Sequence, residues 1–401
     1  MHQIRLNKFP DPTSFFGQIA SIQQLEAADK KELADEATRL FNRFKDYSIA
    51  SVTLHDMDIE DVAPIFERIN STGTKLTIFD LMRAATWSAD FDLVDAIDKD
   101  ILAELEEKNF STVERKAVLR AISAAAGGGF SADNIDSLRK LEVDKLKSAS
   151  SEVGSAFKLA VDFLKNEIEA PNADIIPYSN QIVVLADIYR RIKSPSAKQL
   201  KEIKKWFWRT TFSGYFSGWN TGQMASDLQA VKDFCSGKKD HIDISIIKPS
   251  SEIWKIRTFR SNNAHSKMLG LMLAHHGSLD LVTGQKLSLE KSLAWQNQKE
   301  YHHIFPQAFL KKGGITNRKI NALANFALIS SSSNKYISEK SPSEYMRTCI
   351  DEFGANFANI AEANLLTEAA INFILNDDYE NFIEERANTL FAKAMNLCEW
   401  N

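Results

Sequence analysis

Cysteine is scarce in this sequence, with three residues in 401, at Cys235, Cys349 and Cys398. They are too far apart to form a CxxC pair, which argues against a zinc ribbon. No apolar run reaches the roughly 18 residues of a membrane-spanning helix. The N-terminal segment also lacks the apolar stretch of a signal peptide. We therefore expect a reduced, cytoplasmic protein that does not enter a membrane.

An excess of positive charge is also missing, because the formal net charge is −4. This argues against a protein coated with basic surface for nucleic acid. The distribution is uneven, however. The window Lys286–Met346 holds nine basic and four acidic residues, a net +5. A locally basic segment fits phosphate binding, and an ordinary solvated lysine-rich face explains it equally well.

Hydrophobic residues make up 44% of the chain and charged residues 25%, as in ordinary globular proteins. The length predicts two or three domains. Helical spacing of apolar residues dominates, so the predicted fold class is mainly α. One strand is predicted at Tyr47–Leu54, which is rich in β-branched residues. Helices are predicted at about 14–27, 30–44, 91–107, 112–126, 133–148, 152–168, 180–193, 197–210 and 266–276.

A dense aromatic cluster lies near the middle of the chain, from Trp206 to Phe216. Arg209 stands among these rings, and an arginine beside aromatic side chains can contact a base or a phosphate. Such clusters more often form the core between helices. The sequence favours the packing role.

The stretch from 301 to 340 has the most informative pattern. It contains Tyr-His-His-Ile-Phe-Pro at 301–306, Asn-Phe-Ala-Leu-Ile at 325–329 and Asn-Lys-Tyr-Ile-Ser-Glu-Lys at 334–340. Two strands are predicted, the first ending at Pro306, which lacks a backbone N–H. On a strand, His302 and His303 would point to opposite faces. A turn is predicted at Ser330–Ser333, followed by a helix that Asn334 caps.

The predicted elements follow the order strand, loop, strand, helix, and they carry His, Asn and Asn at the key positions. This arrangement resembles the HNH nucleases, the ββα-metal finger family. The resemblance implies that His303 is the general base that activates water. It implies that His302 and Asn334 are metal ligands, and that Asn325 holds the finger loop and orients the base. Lys340 lies where related fingers carry a lysine near the phosphate.

The chemistry is consistent with these residue types. Phosphodiester cleavage needs an activated water and a cation that stabilises charge on the leaving oxygen. A neutral imidazole suits the first task at pH 7. Imidazole and amide ligands do not determine which metal binds. Mg²⁺ or Mn²⁺ is expected, or a softer ion such as Zn²⁺ or Ni²⁺. The candidate nucleic-acid contacts are the basic residues Lys311, Lys312, Arg318, Lys319 and Lys335.

A second segment, Phe-Glu-Arg-Ile-Asn-Ser-Thr-Gly-Thr-Lys-Leu at 66–76, resembles the N-terminal domain of GmrSD-type restriction proteins. In that family a nucleotide-hydrolysing, DNA-sensing domain precedes a helical region and a C-terminal HNH domain. Arg68, Asn70 and Gly73 are weak candidates for part of a nucleotide site, and a helix stop with an interhelix turn explains them equally well. The family's Asp-Gly-Gln-Gln-Arg motif is absent, which argues against nucleotide hydrolysis by this chain alone.

This resemblance implies a partial N-terminal domain at 1–90, a helical domain at 91–285 and an HNH nuclease domain with C-terminal helices at 286–401. The expected function is a metal-dependent endonuclease that cuts double-stranded DNA, modified or foreign, in antiphage restriction. The alternative is a catalytically silent DNA-binding or regulatory subunit of a split system. A partner subunit would then supply the missing N-terminal half. The chain could also form a homodimer.

Overall fold

The described part of the chain is mainly helical, as predicted. The computed structural model describes residues 12–23, 26–45, 65, 77–86, 88, 90–260, 263–287, 301–338 and 340–400. The chain divides into two compact units, 1–62 and 63–401. The division into three domains at 90 and 285 stays a prediction. None of the described helices is long and apolar enough to cross a membrane.

The described residues of the first unit form two helices, α1 (Pro12–Ser21) and α2 (Ala27–Lys45). The rings of Phe16 and Phe41 pack one helix against the other, with centroids 5.8 Å apart. Both predicted helices are therefore present, although the first ends six residues before the predicted boundary at residue 27.

Several predictions fall on residues that the structure does not describe. The strand predicted at Tyr47–Leu54 lies outside the described residues, and so do the weak nucleotide-site candidates Arg68, Asn70 and Gly73.

The second unit begins with a long helical body. Residues 96–108 continue the short helix Leu93–Asp95 as a π-helical and then a 3₁₀ segment. The α-helices of this body are Ile78–Thr86 (α3), Leu93–Asp95 (α4), Arg115–Ala125 (α5), Ala132–Asp136 (α6), Val143–Asn166 (α7), Ser179–Arg191 (α8), Ala197–Ser213 (α9), Thr221–Cys235 (α10), Glu252–Ile256 (α11) and Ala264–His275 (α12).

Helix α7 crosses a boundary between two predicted helices, because the sequence predicted helices at 133–148 and 152–168 and α7 runs from Val143 to Asn166. The start of the first predicted helix is instead the short α6 with a 3₁₀ turn after it. The stripe of Leu146, Ala149, Val153 and Phe157 is buried without interruption, and this packing overrides the weak helix propensity of serine.

Helix α9 carries the aromatic cluster into the core. Ser196 and Gln199 form a reciprocal capping box at its start, and Gly214 ends it at φ +69°. Trp206 and Trp208 are buried. Arg209 donates to the carbonyl oxygen of Cys398 (2.9 Å). The structure therefore agrees with the packing role that the sequence favoured.

The C-terminal third combines a small antiparallel sheet with short helices. Strand β1 (Tyr301–His303) pairs with β2 (Phe326–Leu328), so β1 ends three residues before Pro306. The remaining helices are Gln307–Lys312 (α13), Asn317–Ile320 (α14), Ser331–Ile337 (α15), Pro342–Phe353 (α16), Phe357–Ala363 (α17), Glu368–Leu375 (α18) and Tyr379–Cys398 (α19).

Candidate functional site

The register of the hairpin separates the two adjacent histidines. His303 lies opposite Phe326, and His302 lies opposite Ala327. Because side chains alternate along a strand, the two imidazoles point to opposite faces, as the sequence predicted. The rings of His303 and Phe326 are in contact, with centroids 4.3 Å apart.

Asn321 fixes the hydrogen-bonding state of His303. Its amide nitrogen Nδ2 donates to the carbonyl oxygen of Asn317 (2.8 Å), which leaves Oδ1 to face His303. The distance from Oδ1 to His303 Nε2 is 3.0 Å. An amide oxygen only accepts, so Nε2 carries the hydrogen in the neutral ring. The other nitrogen, Nδ1, then has the free lone pair that a general base needs.

The surroundings of His303 keep the imidazole neutral. Burial lowers the pKa of His303, and the hydrogen bond to Asn321 offsets part of this shift. Electrostatic repulsion from Lys311, and from His302 whenever its ring is protonated, lowers the pKa of His303 further. A pKa below the usual value near 6.5 leaves the ring unprotonated at pH 7, where it can accept a proton.

Asn325 ties together the two ends of the loop between the strands. The residue is fully buried. Its Oδ1 accepts from the backbone N–H of Phe305 (2.9 Å), and its Nδ2 donates to the carbonyl oxygens of Phe305 (3.2 Å) and Ile320 (3.0 Å). Because Ile320 precedes Asn321, these bonds hold the residue that fixes His303. Asn325 thus acts on the histidine through the backbone.

The C-terminal helices anchor the hairpin from outside. Tyr345 of α16 donates its hydroxyl to the carbonyl oxygen of Ile304 (2.7 Å). Tyr379 of α19 donates to the carbonyl oxygen of Lys319 (2.6 Å). Phe305 packs against Phe382 with ring centroids 4.8 Å apart. These contacts fix the backbone that follows His303 and the loop that carries Asn321.

The helix after β2 begins earlier than predicted. Ser330 is its N-cap, accepting from the N–H of Ser333, so the predicted turn at Ser330–Ser333 and the capping role of Asn334 are wrong. The reason is Asp280, a carboxylate buried in a preceding loop. It accepts from Ser330 N–H (2.7 Å) and from the hydroxyl of Ser333 (2.8 Å). These bonds give the polar groups at the start of α15 their hydrogen-bond partners. The helix therefore begins before Asn334, which lies one turn inside it.

Asp280 also stays charged. Burial raises its pKa, but the hydrogen bonds from Ser330, Thr283 and Ser333 outweigh burial and hold the pKa of Asp280 below its usual value. The anchor of α15 is therefore a carboxylate at neutral pH.

The candidate metal ligands come from two elements. His302 lies on β1 and Asn334 on α15, and both are partly exposed. Among the described residues no three His, Cys, Asp or Glu side chains converge on one point. The candidate donor set is thus one imidazole and one amide oxygen, both neutral. Such donors suit Mn²⁺, Ni²⁺ or Zn²⁺ better than the hard, oxygen-seeking Mg²⁺.

The predicted phosphate contacts have different surroundings. The ammonium of Lys340 lies over the ring of Tyr336, 3.4 Å from its centroid. Lys319 pairs with Glu380 at 2.6 Å, so a carboxylate already balances its charge. The other predicted contacts are exposed at the surface of the C-terminal third, namely Lys311, Lys312, Arg318 and Lys335.

Two residues of the site were missed in the sequence. Asn321 stands in a run of ordinary polar residues, and only the fold shows that its amide faces His303. Asp280 lies 50 residues before Ser330, so no local pattern connects them. One signal was available, because the serine run at 330–333 offers its own N-cap four residues before Asn334.

No protein-family model matches the chain. An uncharacterized protein of Methanocaldococcus jannaschii is 24% identical over a 379-residue alignment, which covers 84% of this chain and 62% of that relative. The chain therefore spans less than two thirds of the length of its relative. The similarity carries no named activity.

Proposed function

We propose that this chain is a divalent-metal-dependent DNA endonuclease whose hairpin and α15 form an HNH finger. The observation that supports it most is the hydrogen bond between His303 Nε2 and Asn321 Oδ1, which leaves Nδ1 as a base. By the resemblance described above, the substrate is double-stranded DNA, modified or foreign. The role is then antiphage restriction in the cytoplasm.

In this proposal His303 Nδ1 takes a proton from a water molecule as the water oxygen bonds to phosphorus. The bond from phosphorus to the leaving oxygen breaks, and that oxygen is protonated by solvent. A divalent cation, when bound, supplies positive charge beside the scissile phosphate. His302 and Asn334 are the side chains that would hold it. Asn325 and Asn321 position the histidine, and Lys340 would contact the phosphate.

A direct test uses supercoiled plasmid with Mg²⁺, Mn²⁺, Zn²⁺ or Ni²⁺ added separately. We expect the wild-type chain to nick or linearise the plasmid with at least one cation. His303→Ala should lower the rate by about 10²-fold or more, the range for loss of a general base. The matched control is His241→Ala, which removes an exposed imidazole that pairs with Asp240 outside the hairpin.

Equal cleavage by wild type and His303→Ala would contradict the proposal. Binding of the plasmid without cleavage under any cation would instead favour the silent DNA-binding or regulatory subunit. In that case, adding a partner that carries the Asp-Gly-Gln-Gln-Arg motif is the experiment that follows.

A further inference from the structure

A groove of about 560 Å³ lies directly beside Asn321. The segments 256–260 and 317–321 form its walls, so it joins the end of the helical body to the loop between β1 and β2. Neither wall belongs to the strand that carries His303. The groove is therefore a separate surface next to the candidate base.

The backbone holds the two walls together. The N–H of Phe259 donates to the carbonyl oxygen of Asn321 (2.8 Å), and the N–H of Leu323 donates to that of Arg257 (3.0 Å). The ring of Phe259 stacks on Phe326 with centroids 4.3 Å apart. Asn321 thus belongs both to the wall of the groove and to the hydrogen bond that fixes His303. A ligand in the groove therefore lies on the Nε2 side of His303, next to the residue that leaves Nδ1 free to react.

The charges of the groove are of one sign. Arg260 and Arg318 contribute guanidinium groups from opposite segments, and no carboxylate lines the groove among the described residues. Both arginines are exposed. Neither forms an ion pair within the part of the chain that the structure describes, whereas neighbouring Lys255 and Lys319 are paired with glutamates.

The groove also has an apolar side. Ile256 lines it with 46% of its surface exposed, which is unusual for a large aliphatic residue here. Phe259 lines the same side. Two guanidinium groups beside an apolar surface match a polyanionic strand whose sugars and bases are less polar than its phosphates.

We propose that this groove holds the DNA strand that flanks the scissile phosphate, with Arg260 and Arg318 each neutralising one backbone phosphate. The inference rests on the nuclease proposal for the position of the scissile phosphate. It adds a contact in the helical body, Arg260, to the contacts of the finger. Because the contacts go to phosphates, the groove positions the duplex without reading its sequence.

The test measures binding separately from cleavage. The 401-residue chain with His303→Ala is titrated against a fluorescein-labelled duplex at several salt concentrations, and anisotropy gives the dissociation constant. On B-DNA, each phosphate that the protein neutralises contributes about 0.9 to the magnitude of the slope of log K against log salt. We expect Arg260→Ala with Arg318→Ala to lower this magnitude by about 2 and to weaken binding roughly tenfold at moderate salt.

Two matched variants make this test specific. Arg347→Ala removes one guanidinium charge from an exposed position of α16, where the guanidinium donates to the carbonyl oxygen of Leu375, and should leave the slope unchanged. Arg260→Lys with Arg318→Lys keeps both charges and should retain the slope. If the alanine pair behaves like Arg347→Ala, the groove inference is overturned. It is also overturned if the lysine pair lowers the slope as the alanine pair does, because the change then does not follow charge.

The result is distinguishable from a failure of the nuclease proposal. A wild-type chain that cuts plasmid, combined with an unchanged slope in the alanine pair, refutes the groove alone. A chain that never cuts, combined with a slope that falls by about 2, supports the groove on a DNA-binding module and refutes the nuclease.

Discussion

At the scale of single residues, the proposed chemistry depends on which nitrogen of His303 carries its hydrogen. The amide of Asn321 decides this, because Nδ2 is already used by the carbonyl of Asn317 and Oδ1 can only accept. Asn321 does not touch the reacting atoms in this account. It is a positioning residue, and replacing it should change the pH dependence of cleavage.

Asn321→Asp places a carboxylate where the amide oxygen lies. The negative charge stabilises the protonated imidazole, so the pKa of His303 rises. Because only the neutral ring accepts a proton, the acid limb of the kcat/KM profile should move to higher pH. Asn372→Asp, an exposed change on α18, is the control. Superimposable acid limbs for Asn321→Asp and wild type would contradict the positioning role.

His302 is predicted to set the metal preference. An imidazole is a softer ligand than a carboxylate, so wild-type cleavage should be supported better by Mn²⁺ or Ni²⁺ than by Mg²⁺. His302→Asp supplies the hard oxygen that Mg²⁺ prefers. We expect the ratio of the Mg²⁺ rate to the Mn²⁺ rate to rise in this variant. An unchanged ratio would show that His302 does not hold the cation.

At the scale of elements, the site requires α12 and β1 to approach closely. Gly270 of α12 lies against the side chain of Tyr301, and a Cβ at position 270 would overlap the Tyr301 hydroxyl. Tyr301 and His303 lie on the same face of β1. The close packing of α12 therefore bears directly on the position of the candidate base.

Gly270→Ala should destabilise the protein by about 1–3 kcal/mol, the cost of overpacking a core, and should slow cleavage. Gly154→Ala is the matched control, because its Cβ would meet Ile101 at an ordinary 3.4 Å within helix α7. Adding Tyr301→Phe removes the overlapping hydroxyl. Urea unfolding of four proteins forms a double-mutant cycle: wild type, the single variants at 270 and 301, and the double variant. If the changes in the free energy of unfolding are strictly additive, the two residues are not in contact.

Some of the elements depend on residues that are neighbours in the sequence, and others depend on distant contacts. Periodicity located the hairpin, most helices and the opposite orientation of His302 and His303, because each depends on neighbours along the chain. The start of α15 was misplaced because a distant carboxylate, Asp280, satisfies Ser330 and Ser333. The bounds predicted at residues 148 and 152 fall inside α7 because buried packing outweighed local propensity. Asn321 could not be assigned, since its role appears only when the loop folds onto β1.

At the scale of the whole molecule, half-buried histidines predict acid sensitivity. Burial is the largest cause that lowers the pKa of His265, His275, His276 and His303. The unfolded chain binds protons near pH 6.5, before the folded chain does. Stability from these groups is therefore present above pH 6.5 and is lost as pH falls through the folded pKa values.

Thermal melts should show a falling Tm as pH is lowered from about 7.5 to about 5.5. His275→Gln removes one of the four groups, whose ring packs against Trp208, and should make the fall shallower. His241→Gln, at an exposed histidine, should leave the fall unchanged. A Tm that is constant over this range would contradict the prediction.

The nuclease account rests on proton transfer to His303, and one rate tests it most directly. Single-turnover cleavage of a labelled duplex is measured for wild type and for His303→Ala, with and without added imidazole. We predict that the variant is slower by about 10²–10⁴-fold, the usual contribution of a general base, and that imidazole restores part of the rate. Equal rates for wild type and His303→Ala would contradict it.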